Sequence, residues 1–139
     1  MPILNVKISG EPNPETTKRV SELLASLTSR ILKKQPDVTA IAIDYVPKSQ
    51  WLVGGVMLDQ RGQCSFYFDI KVTEGTNSKD EMACYIEEAF AGLKEILGQV
   101  HPESYIYVQE VRAFSYGYGG RTQENRYIAS KLQNEAVTR

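Results

Sequence analysis

The sequence predicts a mixed α/β (α+β) domain of two tandem β-α-β units, whose four main strands form one sheet with both helices on one face. Three observations carry this prediction. Apolar residues alternate at strand period in two short stretches, Leu4, Val6, Ile8 and then Phe66, Phe68, Ile70, Val72. A run of helical periodicity follows each stretch. The whole pattern recurs 64 to 65 residues later: Val46 maps to Val111 and Gly54 to Gly119. Two copies are too few for a solenoid.

The elements follow in order. Leu4, Val6 and Ile8 alternate with Asn5, Lys7 and Ser9, which gives the first strand. A Gly-containing turn leads to Asn13, a helix N-cap with Pro14 where a missing amide costs least. Val20, Leu23, Leu24, Leu27, Ile31 and Leu32 mark a helix that Gln35-Pro36-Asp37 ends. Ile41, Ile43 and Tyr45 form the second strand, before Trp51 and the pair Gly54-Gly55. Gln60 to Gln63 is a turn or short linker. In the second unit Asn77 is the expected cap, and Met82, Ile86, Ala89, Phe90, Leu93, Ile96 and Leu97 the helix. Gly98 to Pro102 ends it; Tyr105 to Val111 is the last strand, before Tyr116, Tyr118 and Gly119-Gly120. Right-handed crossovers make the two strands of each unit parallel. The units run over residues 1–60 and 61–120 of one domain spanning 1–139. The polar tail 121–139 is a short helix packed on a neighbour through Tyr127, Ile128 and Leu132, or a frayed end.

Composition narrows the function. The chain has 139 residues, enough for one compact domain, and 42% of them are hydrophobic. Sixteen basic residues against seventeen acidic ones exclude a generally basic nucleic-acid binder. No apolar run reaches the roughly 18 residues of a membrane span. The start reads as no secretory signal, so a cytoplasmic protein with Cys64 and Cys84 as free thiols is expected. With His101 alone and no CxxC or HxxxH, no metal site is expected.

The outer sheet face would carry Lys7, Tyr67, Asp69, Lys71, Tyr105, Tyr107 and Gln109. It is too aromatic to be left wet and too polar for a dry core. A closed cyclic oligomer with the sheets inward satisfies both demands and covers open strand edges. At the head of the first strand stands Pro2. Met1 is commonly trimmed before a small residue, and trimming would leave Pro2 a free secondary amine. Apolar surroundings and nearby cations lower such an amine's pKa. A neutral amine is a competent general base.

Met1-Pro2-Ile3, the duplicated β-α-β pattern, Glu74-Gly75 before a capped helix and the two Gly-Gly closings together resemble the tautomerase superfamily. That group includes 4-oxalocrotonate tautomerase, migration inhibitory factor, cis-3-chloroacrylic acid dehalogenase and malonate semialdehyde decarboxylase. The resemblance covers about residues 2 to 120. It implies a homotrimer of fused two-unit subunits, built around an amino-terminal proline, with no cofactor. Pro2 matches the catalytic proline. Thr76 stands where 4-oxalocrotonate tautomerase and the dehalogenase have a carboxylate-binding arginine, and Thr73 where the dehalogenase has its second. Lys71, Arg112 or Arg121 could supply the missing cation, or the substrate is less anionic. Lys34 falls near a pocket lysine of migration inhibitory factor, and Asp37 near a functional aspartate of the decarboxylase.

Tyr105 and Tyr107 match the family strand that offers a tyrosine to a neighbour's proline. They either steady a developing enolate or fill a subunit interface. Trp51 is a pocket wall, an interface aromatic, or both. Tyr116 and Tyr118 would keep the pocket dry, with Tyr118 where the decarboxylase has an arginine. Ser115 replaces the dehalogenase's water-activating glutamate. The expected function is keto-enol proton transfer on a small α-keto or enol acid, with Pro2 as base. The alternatives are decarboxylation, dehalogenation or hydration with a cationic proline, or a trimeric interaction protein without chemistry.

Overall fold

A computed structural model describes residues 1–138. Four long strands form one sheet in the order β2-β1-β5-β6: β1 (Ile3–Ser9), β2 (Ala40–Val46), β5 (Phe66–Thr73) and β6 (Tyr105–Val111). The outer pairs are parallel, with Ile3 opposite Ala40 and Tyr67 opposite Tyr105. The central pair is antiparallel, with Asn5 opposite Asp69. The sequence pattern carries the two parallel pairs but not the antiparallel seam joining them. That seam makes the two ends of the sheet equivalent. The amino end of β1 lies at one, and the amino end of β5 at the other.

Helices α1 (Pro14–Arg30) and α3 (Lys79–Leu97) pack against each other and close the core. Leu4, Val6 and Ile8 project into it from β1, and Phe66, Phe68, Ile70 and Val72 from β5. Val20, Leu24 and Leu27 meet them from α1, and Tyr85, Ala89 and Leu93 from α3. Gly92 sets the helix spacing, since a Cβ there would lie 2.7 Å from a Leu23 methyl. The apolar periodicity of α3 does not single out Tyr85, which is fully buried, whereas Ile86 is partly exposed. The Tyr85 phenol meets Thr28 Oγ1 at 2.8 Å inside the core, and burial pushes its pKa up to about 12. Tyr85→Phe strands the Thr28 hydroxyl. It should lower stability by about 1–2 kcal/mol in urea unfolding at fixed protein concentration. An unchanged midpoint would show that the pair contributes nothing.

The halves correspond at an offset of 65 at the starts of α1 and α3, through β2 and β6, and through the hairpins that follow them. Short hairpins β3–β4 (Leu52–Val53, Val56–Met57) and β7–β8 (Gly117–Tyr118, Arg121–Thr122) follow β2 and β6. A helix follows each hairpin, α2 (Leu58–Arg61) and α4 (Gln123–Thr138). Arg61 Nη2 donates to Val53 O at 2.7 Å, and Arg126 Nη2 to Tyr118 O at 2.9 Å. Gly119 keeps a positive φ of 60°, and a Cβ there would sit 2.9 Å from Arg126 Nη2. The missing side chain therefore leaves room for the clip.

Three expectations need correction. The cap of α3 is Ser78, in a reciprocal capping box with Glu81, and not Asn77. Asn77 instead turns its amide to Leu32 O at 3.0 Å and to Glu81. A serine with glutamate three residues on satisfies two orphan amides, which a lone asparagine does not. Second, α1 ends at Arg30 and not at Gln35-Pro36-Asp37, because Lys33 takes a left-handed backbone (φ 58°) that no helix continues through. Third, Gln60 and Arg61 belong to the one-turn helix α2 before Gly62, not to a plain turn. The tail is a helix of 16 residues, α4, packed near its start by buried Gln123 and leaving Tyr127, Ile128 and Leu132 exposed. Cys64 is buried and Cys84 exposed, both as free thiols. Among the described residues, no helix is long and apolar enough to cross a membrane. Among the described residues no group of three or more His, Cys, Asp or Glu side chains could hold a metal.

Candidate active site

Pro2 is buried at the head of β1, and its carbonyl accepts from Ala40 N at 3.1 Å. Strand pairing thus fixes the ring. Two clefts open beside it, and Met1 lines both. The first, of about 540 Å³, is walled by Pro2, Asp37, Val38, Thr39, Tyr116 and Tyr118 among others. The second, of about 620 Å³, takes in Lys34, Thr73, Thr76 and the start of α4.

Tyr116 comes closest to the proline nitrogen. Its phenol donates to Met1 O at 2.6 Å. That carbonyl is bonded through its carbon to Pro2 N, so the phenol oxygen lies within about 5 Å of the nitrogen. Burial raises the Tyr116 pKa, while the Ile3 backbone and Lys71 act the other way. The phenol stays protonated and remains a donor. Sequence reasoning gave Tyr116 only a water-excluding role; its polar contact across 115 residues of chain has no local signature.

Lys34 is the cation of the second cleft. The left-handed Lys33 turns the chain at the end of α1, where the second half has Gly98. A lysine in that conformation costs about 1 kcal/mol over glycine. Beyond it, Lys34 Nζ donates to Thr76 Oγ1 at 2.8 Å, and Thr76 Oγ1 donates to Thr73 O. The two threonines that replace arginines are therefore tied to a lysine from the other half. Burial holds the Lys34 ammonium below its usual pKa, with Glu81 opposing. The Met1 α-ammonium is lowered as well, by burial first and by the Lys34 charge second.

Of the other residues singled out in the sequence, Lys71 stands opposite Ile3, one residue from Pro2, whereas Trp51, Tyr105 and Tyr107 lie farther along the sheet. Trp51 and Tyr105 share a cleft with Glu103 at the opposite end of the sheet, roughly 20 Å away by strand rise. The Tyr105 phenol donates to the Glu103 carboxylate, which raises its pKa. Tyr107 stands on the outer face beside Asp69, and both tyrosines are more than half exposed (59% and 53%). Lys71 pairs with Asp69 at 2.8 Å on that same face. Arg112 lies over the Phe114 ring, and Arg121 donates to Asn125 Oδ1 at 2.8 Å. Within one protomer, Pro2 thus shares its cleft with Tyr116, Tyr118 and Asp37, Lys71 stands beside it in the sheet, and Lys34, Thr73 and Thr76 line the adjoining cleft that Met1 also borders.

The duplicated β-α-β sheet, with a proline at its head and clefts beside that proline, defines a class of small two-unit β-α-β proteins. Residues 2–61, the first of the two units, match the family model described as Tautomerase enzyme. The fold agrees with solved structures. A fused 4-OT wild type symmetric trimer, Q0, is 13% identical, with a TM-score of 0.75, over 89% of this chain and 98% of its own. Pt0534 inactivated by 2-oxo-3-pentynoate is 13% identical, with a TM-score of 0.77, over 88% and 97%. A macrophage migration inhibitory factor-like protein from Entamoeba histolytica is 18% identical, with a TM-score of 0.71, over 87% and 97%. No curated protein sequence matches the chain.

Proposed function

We propose that this protein is a cofactor-independent tautomerase acting on small 2-keto or enol acids, with the Pro2 nitrogen, freed by removal of Met1, as general base. The observation that carries this reading is the placement of buried Pro2 with Tyr116 in one cleft and of Lys34 in the adjoining one, with Met1 lining both. Burial and a neighbouring ammonium both disfavour a second positive charge, so they favour the neutral amine. Pro2 N takes the enol O–H proton as the O–H electrons form the carbonyl. The resulting ammonium then returns a proton to carbon as the C=C pair accepts it. Atoms and charge balance, and the net change is isomerisation. Lys34 holds the substrate carboxylate in place of the absent arginines, and the Tyr116 phenol orients the nitrogen or the substrate oxygen. Decarboxylation or hydration through a cationic proline is the weaker reading, since the surroundings of the amine oppose that charge.

The assembly belongs to this proposal. Tyr105, Tyr107 and Trp51 lie far from Pro2 of their own protomer; the two tyrosines stand exposed on the outer sheet face and Trp51 is half-buried beside it. In a homotrimer closed around those faces, they would reach a neighbour's Pro2. The trimeric state of the fused 4-OT supports this arrangement.

Ketonisation of phenylenolpyruvate, followed by the loss of enol absorbance, tests the proposal. As pH rises, kcat/KM should climb to a plateau as the amine loses its proton. A rate that falls across that range would replace the base with a cationic proline. Tyr116→Phe should lower kcat about 3- to 30-fold, the range for one hydrogen bond of ~0.7–2 kcal/mol, with little change in KM. Incubation with 2-oxo-3-pentynoate should add one reagent mass at Pro2, as the amine adds across the alkyne and a proton moves to carbon. Modification confined to Cys84 would leave the imino nitrogen without support.

A further inference from the structure

The cleft between Lys34 and α4 carries a charge pattern that neither half of the duplication explains. Its internal counterpart, α2, is one turn long and stops at Gly62. By contrast, α4 runs for 16 residues and lays Glu124, Arg126 and Tyr127 along the cleft. Opposite, Glu74 follows β5 on the same rim. Among the described residues, the lining has two cationic side chains, and one is already engaged. The Arg126 guanidinium carbon lies 3.8 Å from the centre of the Tyr118 ring, and Nη2 donates to Tyr118 O. The equivalent Arg61 makes the same carbonyl contact. Arg126 is therefore a hairpin clip, and Lys34 is left to meet an anion.

We infer that α4 makes this cleft selective for monocarboxylates with an apolar body, with Lys34 as the single anchor and Glu74 and Glu124 rejecting a second carboxylate. This rests on the carboxylate-binding part of the proposed function and names its substrate class. One carboxylate at Lys34 directs the rest of a short substrate along Tyr127 and Ala113, which line the same cleft. A second carboxylate on that body would meet two acidic side chains, while the Arg126 guanidinium is held against the Tyr118 ring and carbonyl with its Nε buried. Like charges held a few ångströms apart at a partly desolvated rim weaken binding, by about tenfold or more here, and salt relieves the effect.

The test uses unreactive probes on the full-length protein with Met1 removed, verified by intact mass. Calorimetry compares 3-phenylpropanoate, a monoanion, with adipate, a dianion of similar length. The wild type should bind 3-phenylpropanoate about tenfold or more tightly than adipate. Glu74→Gln with Glu124→Gln should shrink that ratio about tenfold, and added salt should shrink it in the wild type. Adipate binding as tight as 3-phenylpropanoate, a ratio indifferent to the double substitution, or no binding of either probe would overturn the inference. The same samples are assayed for ketonisation. Selective binding without turnover sinks the proposed chemistry alone, and turnover without selectivity sinks this inference alone.

Discussion

Pro2→Ala is expected to lower kcat/KM for phenylenolpyruvate by about 100-fold or more, the usual contribution of a positioned general base. Alanine leaves an amine at the same place, but a primary and freely rotating one. The proline ring holds the nitrogen on one heading, and the Ala40 N contact to its carbonyl anchors that heading in the sheet. The substitution spares that backbone contact, so the thermal midpoint should fall little. Protein that retains Met1 is the companion sample. There the nitrogen is an amide whose carbonyl already accepts from Tyr116, so activity should be absent. Equal rates for wild type, Pro2→Ala and Met1-retaining protein would remove Pro2 from the chemistry.

Lys34→Ala should raise KM by about 10- to 100-fold, the equivalent of one charge-assisted hydrogen bond of ~1.5–3 kcal/mol. A second effect separates anchoring from general damage. The Lys34 charge is one of two causes that lower the Met1 α-amine pKa, burial being the larger, and the same charge would act on the Pro2 amine one residue on. Removing a cation lets the amine hold its proton to higher pH. Because the base must be neutral, the acidic limb of the kcat/KM profile should move to higher pH. Lys34→Arg should restore the position of that limb more fully than the KM, since a guanidinium keeps the charge but not the reach to Thr76. A KM within twofold of wild type and an unmoved limb would assign the anchor to another residue. The Lys34–Thr76 contact is exposed, so little stability is at stake.

Much of the architecture was legible because it rests on local periodicity. Alternation at Leu4–Ile8 and Phe66–Val72 marks β1 and β5, and the spacing of Val20, Leu24 and Leu27 marks the buried side of α1. The errors sit where a local signal competes with another of similar strength. Asn77 and Ser78 are both good caps, and only the glutamate at 81 decides between them. The end of α1 depends on a left-handed lysine, which the sequence does not announce as glycine would. The length of α4 was unreadable because its apolar residues are few and its packing is confined to its first turns.

What the sequence determined by itself was the repeat, the parallel units and the proline at the head of the first strand, since the last two are each written within a single unit and the repeat is that unit's pattern read twice. Only the tertiary structure decided who stands beside that proline. Lys34, Tyr116 and Thr76 come from different parts of the chain and meet because the antiparallel pairing of β1 with β5 brings the second half's carboxyl end to the first half's amino end. The same pairing carries Trp51 and Tyr105 to the far end of the sheet. Register between distant strands is set by burial of both inner faces at once, a sum over the whole core that no short window of residues contains.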